Sequence, residues 1–254
     1  MLRYEYKYYV PYTNIDRLRD MIAPHMELDP FAAKQPGRAY TVRSIYFDTP
    51  SFECYHTKVA GTKHRYKLRI RGYNEGGADD WVFLEIKRKY EAPIMKHRAP
   101  FAFKRIPDIL SGGDIPAHIL RPNRVDDARR FMYRMLARRM RPVVTVIYER
   151  EPFLGRFDDP DNNLRITFDK HLRSVAYPAV EELYEERDVR VIMGDYLILE
   201  VKFNKYMPAW VRPVIQTLAL RKEPASKYVL CIDGHPNIRP DARHDTFVYD
   251  RLHR

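Results

Sequence analysis

The stretch "HRYKLRIRGY", residues 64–73, decides the fold. Arg65, Lys67, Arg69 and Arg71 recur at every second position, with Leu68 and Ile70 between them. A period of two is that of a β-strand, which would aim all four cations at one face, whereas a helix would throw successive members of the row to opposite sides. The pattern repeats on either side. In "WVFLEIKRKY" (81–90) Glu85, Lys87 and Lys89 share one face and Val82, Leu84 and Ile86 the other. In "RYEYKYYV" (3–10) Arg3, Glu5 and Lys7 align, and in "LILEVKFN" (197–204) Glu200 and Lys202 oppose Leu197, Leu199, Val201 and Phe203. "VTVIYER" ends on Arg150, and "LRITFD" places Arg165 and Asp169 on one side.

Eight strand-like runs follow from this periodicity, at about 3–10, 39–48, 64–73, 81–90, 98–104, 142–150, 163–169 and 196–204. Helical patterns are fewer: "TNIDRLRDMIA" with Thr13 or Asn14 as cap, the basic amphipathic "VDDARRFMYRMLARRM", and "AWVRPVIQTLALRK", which Pro213 should kink or delay. Strands and helices do not alternate, so the expected fold class is α+β, mainly β, and not doubly wound. A polar face made of Arg and Lys with an occasional Glu costs electrostatic repulsion unless an anion sits among the cations. The pattern favours an antiparallel sheet or barrel, and one way to satisfy it is a closed eight-stranded antiparallel β-barrel, with apolar faces packed outward on flanking helices and a cationic lumen acting as an anion tunnel. Segment 111–124 reads as a mobile loop, residues 1–233 as one domain, and 234–254 as a polar C-terminal tail.

Composition narrows the partner. The 254 residues carry 45 Lys and Arg against 34 Asp and Glu, a formal charge of +11, which points to a polyanion. Two cysteines cannot build a disulfide framework or a zinc site, which fits a cytoplasmic protein. No apolar h-region opens the chain and no apolar run reaches about 18 residues, so neither a signal peptide nor a membrane span is expected. Phosphate-binding Gly-rich loops, a nucleophile elbow and H-E-x-x-H are all missing.

In order, "RYEYKYYV", "TVRSIYFDT", "KLRIRGY", "VFLEIKRK", "VIYERE", "LRITFD", "LILEVKF" and "SKYVLCI" resemble the VTC domain, the polyphosphate polymerase module of the vacuolar transporter chaperone complex, within the triphosphate tunnel metalloenzymes. The resemblance runs from about residue 3 to 233. It implies an ATP-dependent phosphotransferase that adds the γ-phosphate of ATP to inorganic polyphosphate with Mn²⁺ or Mg²⁺ as cofactor. Carried over by motif, it implies that Lys7, Arg69, Arg71 and Lys87 contact substrate phosphates, joined by Ser226 and by Lys96 and Arg98 of "MKHRAPF". Arg150, Arg165 and Lys227 would neutralise charge around the transferred phosphoryl group, and Glu200 would hold the metal. The expected partners are ATP and polyphosphate, with no nucleic acid, and by analogy a membrane protein that receives the polymer. The hydrolytic branch of that superfamily carries an acidic "ExExK" at its first strand. Here Arg3 stands in place of the first Glu and Glu5 remains, which favours transfer to phosphate over hydrolysis. The alternatives are a triphosphate hydrolase or nucleotide cyclase using Glu5, Glu85 and Glu200, and a non-catalytic polyanion binder with cations and stacking aromatics on an exposed patch.

Overall fold

The structure, a computed structural model, describes residues 4–89 and 94–240. Ten strands form one antiparallel sheet: β1 (Tyr4–Pro11), β2 (Met26–Leu28), β3 (Tyr40–Asp48), β4 (Arg65–Tyr73), β5 (Trp81–Lys89), β6 (Ile94–Ala102), β7 (Arg141–Gly155), β8 (Arg165–Ala176), β9 (Arg190–Met193) and β10 (Tyr196–Phe203). The helices are α1 (Ile15–Ile22), α2 (Pro30–Ala33), α3 (Glu53–Val59), α4 (Ile106–Leu110), α5 (Ile115–His118), α6 (Val125–Ala137), α7 (Val211–Thr217) and α8 (Lys227–Asp233). Among the described residues no helix is long and apolar enough to cross a membrane.

Eight strands follow one path, β1-β10-β8-β7-β3-β4-β5-β6, while β2 pairs with β7 and β9 with β8. The mainly-β, antiparallel expectation holds, but the closed barrel is corrected. β1 and β6 are the ends of the ladder, and among the described residues no pairing joins them. The reason lies on the outer edge of β1, where Tyr8 bridges Lys222 and the Glu223 N–H donates to the Lys7 carbonyl at 2.9 Å. That edge is taken by the segment leading into α8. At the opposite end β6 is covered in the same way, with Ile119 bridging Phe101 and the Leu120 N–H donating to the Pro100 carbonyl at 3.0 Å. The sheet nevertheless bends round: β1 and β5, separated by five strands in the ladder, meet where Lys87 Nζ lies 3.6 Å from Glu5 Oε2.

Strand alternation sorts side chains as expected. Leu68, Ile70, Val82, Leu84 and Ile86 belong to a core that also takes Phe131 and Met135 of α6 and much of α8. Leu197, Leu199, Val201 and Phe203 join a second core with Leu18 and Ile22 of α1 and Val211 and Val214 of α7. Each such side chain contributes about 1.5–3 kcal/mol when fully buried. Gly72 closes the opening motif because a Cβ there would collide with the Tyr184 ring.

α1 and α7 start two residues later than their patterns, whereas α6 starts with its own. Tyr12–Asn14 is a 3₁₀ turn, and Asn14 precedes α1 without a capping side-chain hydrogen bond. Pro213 occupies the third position of α7, where its missing N–H has no intrahelical partner to lose. Segment 111–124 carries α5 and a 3₁₀ turn, and its Ile119 bridges Phe101. Residues 234–240 of the expected tail are packed in part: Ile238 is fully buried and His235 Nε2 lies 2.8 Å from Ser174 Oγ. Residues 241–254 and Arg3 lie outside the described residues.

Candidate functional site

The charged faces of β1, β4, β5, β7 and β10, together with the 222–228 segment, enclose a cavity of about 800 Å³. Twelve Lys and Arg side chains line it against three glutamates, Glu5, Glu200 and Glu223. The row that opened the reading is there: Arg65, Lys67, Arg69 and Arg71 all face this space.

Glu200 is the hub at the β1–β10 end. It is 4% exposed. Its Oε1 meets Lys7 at 3.1 Å and Lys227 at 2.9 Å, and its Oε2 meets Lys202 at 2.8 Å and Arg150 at 3.5 Å. Burial opposes ionisation, but Lys202, Lys227, Lys7 and Arg150 outweigh it and hold the carboxyl well below the usual range. Glu5 is governed the same way: burial raises it most, but Lys7, Lys87 and Lys202 together outweigh burial and the Glu200 charge, and the balance is about 2.

Arg150 is held by a carboxylate that parity had placed beside Arg165. The register sets Arg150 opposite Asp169, and the two form a bidentate pair with both N–O distances at 2.7 Å. Lys227 also reaches Asp169 and sits 4.8 Å from the Tyr148 ring. These cations are fixed before any anion arrives, so little reorganisation would accompany binding.

Another set has no such anchor. Lys67 donates to Ser226 Oγ at 2.8 Å and lies over Tyr228, yet no carboxylate pairs with it among the described residues. Burial first, then Lys58, Lys7 and Lys87, push its ammonium well below the usual lysine range. Arg71 is buried and donates to Ser44 Oγ at 3.0 Å, again without an ion pair among the described residues. The cavity is therefore short of negative charge at the β4 wall.

Eight of the eleven residues expected at the site line this cavity: Arg150, Lys227, Glu200, Lys7, Arg69, Arg71, Lys87 and Ser226. Three do not. Arg165 shares its register with Lys202, but its guanidinium turns to Asp29 at 3.6 Å. Lys96 and Arg98 turn to Glu85, at 2.8 and 3.1 Å, and Arg98 also stacks 3.5 Å above Phe83. Glu85, 1% exposed, is itself bound by Arg69 at 2.6 Å, so it anchors cations on the same inner face of the sheet, beyond the residues that line the cavity. Sequence reasoning passed over Lys58 at the end of α3 and Lys222 beside β1, which lie on no alternating strand. It saw Lys67 and Arg65 in the row and gave them no role.

Among the described residues no group of three or more His, Cys, Asp and Glu side chains could hold a metal. Glu5 and Glu200 do converge, each 3.1 Å from the Lys7 ammonium. Two carboxylates completed by phosphate oxygens are a donor set that suits Mg²⁺ or Mn²⁺, so the residues present fit a cation brought in with a phosphate chain.

An antiparallel sheet bent around a cation-lined cavity, with helices on its outer faces, is the frame in which the sequence relationships fall. The VTC domain matches residues 2–233, and the chain belongs to that family. Among proteins of known name it is similar to the vacuolar transporter chaperone complex subunit 4 of Trypanosoma brucei brucei, at 25% identity over 273 residues. That match covers 90% of this chain and 34% of the trypanosome protein, so the chain spans about a third of its relative's length.

Proposed function

We propose that the chain is a polyphosphate polymerase that transfers the γ-phosphoryl group of ATP to the end of an inorganic polyphosphate chain inside the cation-lined cavity. The observation that carries this reading is the charge imbalance of the cavity, twelve cations to three carboxylates, with Lys67 and Arg71 left without ion-pair partners among the described residues. A chain of phosphates supplies the missing negative charge at regular intervals, and the family membership and the relative's place in the vacuolar transporter chaperone complex agree with it.

In this reading a terminal oxygen of the polyphosphate attacks the γ-phosphorus, a new phosphoanhydride bond forms, and the bond to the β-phosphate oxygen breaks with its electron pair leaving on ADP. The attacking oxygen is already anionic, so alignment and charge neutralisation matter more than a base. Arg150 and Lys227, held by Asp169, neutralise the transferred group, with Arg165 as a further cation that would have to leave Asp29 to take part. Arg69, Arg71, Lys87 and Lys7 grip the other phosphates, and Ser226 orients Lys67. Lys96 and Arg98 act through Glu85, which fixes Arg69. Glu200, with Glu5 beside it, would hold a divalent cation, manganese or magnesium, whose charge would offset that of the phosphates. The buried, unpaired Cys54 and Cys231 agree with a cytoplasmic site of action. Residues 1–233 carry the activity, and a membrane protein receives the polymer.

The test is incubation with γ-labelled ATP and Mn²⁺, with products resolved on a gel. A ladder of labelled polymer is expected. Labelled free phosphate alone would replace this reading with a triphosphate hydrolase, and tight tripolyphosphate binding without turnover would leave a polyanion binder.

A further inference from the structure

The outer face of β5 carries a second cationic feature, on the side of the sheet away from the cavity. A crevice of about 170 Å³ opens between β5, β6 and α6, lined by Ile86, Arg88, His97, Arg130, Tyr133 and Arg134. Strand parity separates it from the cavity: Lys87 points inward, while Ile86 and Arg88 point outward.

Its arginines lack counter-charges. Among the described residues Arg88, Arg130 and Arg134 make no ion pair, although α6 carries two aspartates in its first turn. Those are committed elsewhere. Asp127 takes the His97 ring at 2.8 Å, the Arg98 N–H at 3.3 Å and Arg124 at 3.2 Å, and Asp126 faces Arg129 at 3.8 Å. Arg130 and Arg134 stand four residues apart on one helix face, a like-charge arrangement that disfavours the helix. Arg134 is braced over the Tyr66 ring at 4.9 Å, and His97 by Asp127, so two sides of the crevice are fixed in place. Tyr133, 74% exposed, forms its rim.

We propose that this crevice is a binding site for a phosphate group of a soluble polyanion, separate from the cavity, with Arg88, Arg130 and Arg134 as its ligands. Arginine's planar fork suits two oxygens of one phosphate, and three guanidiniums from two elements converge on a space small enough for one such group. The concavity favours a discrete group over a flat charged surface. This inference concerns binding on the outer face and stands whether or not the cavity makes polymer.

The test is calorimetric titration of the whole chain with tripolyphosphate. Two classes of site are expected. The double variant Arg130→Ala/Arg134→Ala should weaken one class by about tenfold or more and leave the other unchanged. Arg129→Ala/Arg139→Ala removes the same charge away from the crevice and should change neither. Should the double variant melt early, Arg130→Glu, at an exposed helix position, repeats the test with the fold kept. A single class, equal losses in both classes, or an equal effect of the control pair would each overturn the proposal. So would binding of phosphoinositide-containing phosphatidylcholine vesicles with no response to free tripolyphosphate, which would assign the arginines to a lipid surface.

Discussion

At the scale of single residues, the site is a contest between burial and charge. Glu200 stays ionised only because four cations surround it, and that makes a signed prediction. Glu200→Gln removes one negative charge from a cavity rich in cations, so metal-free tripolyphosphate should bind roughly tenfold more tightly, while metal-dependent synthesis should be lost. Calorimetry with and without Mn²⁺, beside the product gel, checks both halves. Lys67 carries the opposite sign. Its ammonium is pushed down by burial and by Lys58, Lys7 and Lys87, and a phosphate beside it would push it back up, so binding should be accompanied by proton uptake. Titrations in two buffers of different ionisation enthalpy should give different heats, and Lys67→Met should abolish the difference. The carboxylates set the acid limit. Glu5 has a folded pKa of about 2 against an ordinary 4.5, so its contribution is present above about 4.5 and is lost as pH falls towards 2. Glu200 and Asp169 are lowered as well and add to the same window. Urea midpoints should hold from neutral pH down to about 4.5 and then fall; a fall centred near pH 6 would contradict this.

At the scale of elements, α8 decides how the cavity is finished. Asp48 at the end of β3 accepts the N–H groups of Thr49, Cys54 and Tyr55 at 2.8–3.0 Å, and the Tyr228 hydroxyl of α8 donates to the same carboxylate. α3 and α8 are thereby tied together, which holds Ser226, Lys227 and Lys67 at the cavity wall. Tyr228→Phe should cost about 1.5–3 kcal/mol in urea unfolding and weaken tripolyphosphate binding, since a loosened α8 misplaces Lys227. The long strands were legible because period two persists along β4, β5 and β10. β2 and β9, at three and four residues, are too short to display a period. α8 escaped for another reason: residues 227–232 are all buried, so the helix offers no polar face to read. The candidate site was legible where cations sat on alternating strands. It was lost where side chains bent aside, as Arg165 does to Asp29 and Lys96 and Arg98 do to Glu85, because contacts far apart in sequence decide rotamers.

At the scale of the whole molecule, an open ladder surrounds the cation-lined space that a closed barrel was expected to surround. The β1 edge is occupied by the segment before α8, so side chains from both ends of the sheet meet across a cavity without a continuous hydrogen-bonded ring. No local pattern encodes that choice, because it depends on pairing residues some 200 positions apart. The net charge of +11 acts at this scale too. Polyphosphate association should slow by about tenfold or more between low and physiological ionic strength, with a much smaller change in dissociation, as stopped-flow mixing would show. The central claim, that the cavity joins phosphates and does not release them to water, is tested most directly by one ratio: ADP formed against phosphate incorporated into polymer, measured on purified protein with ATP and Mn²⁺. Equality of the two is the predicted result. ADP matched by free phosphate, with no polymer, would contradict it.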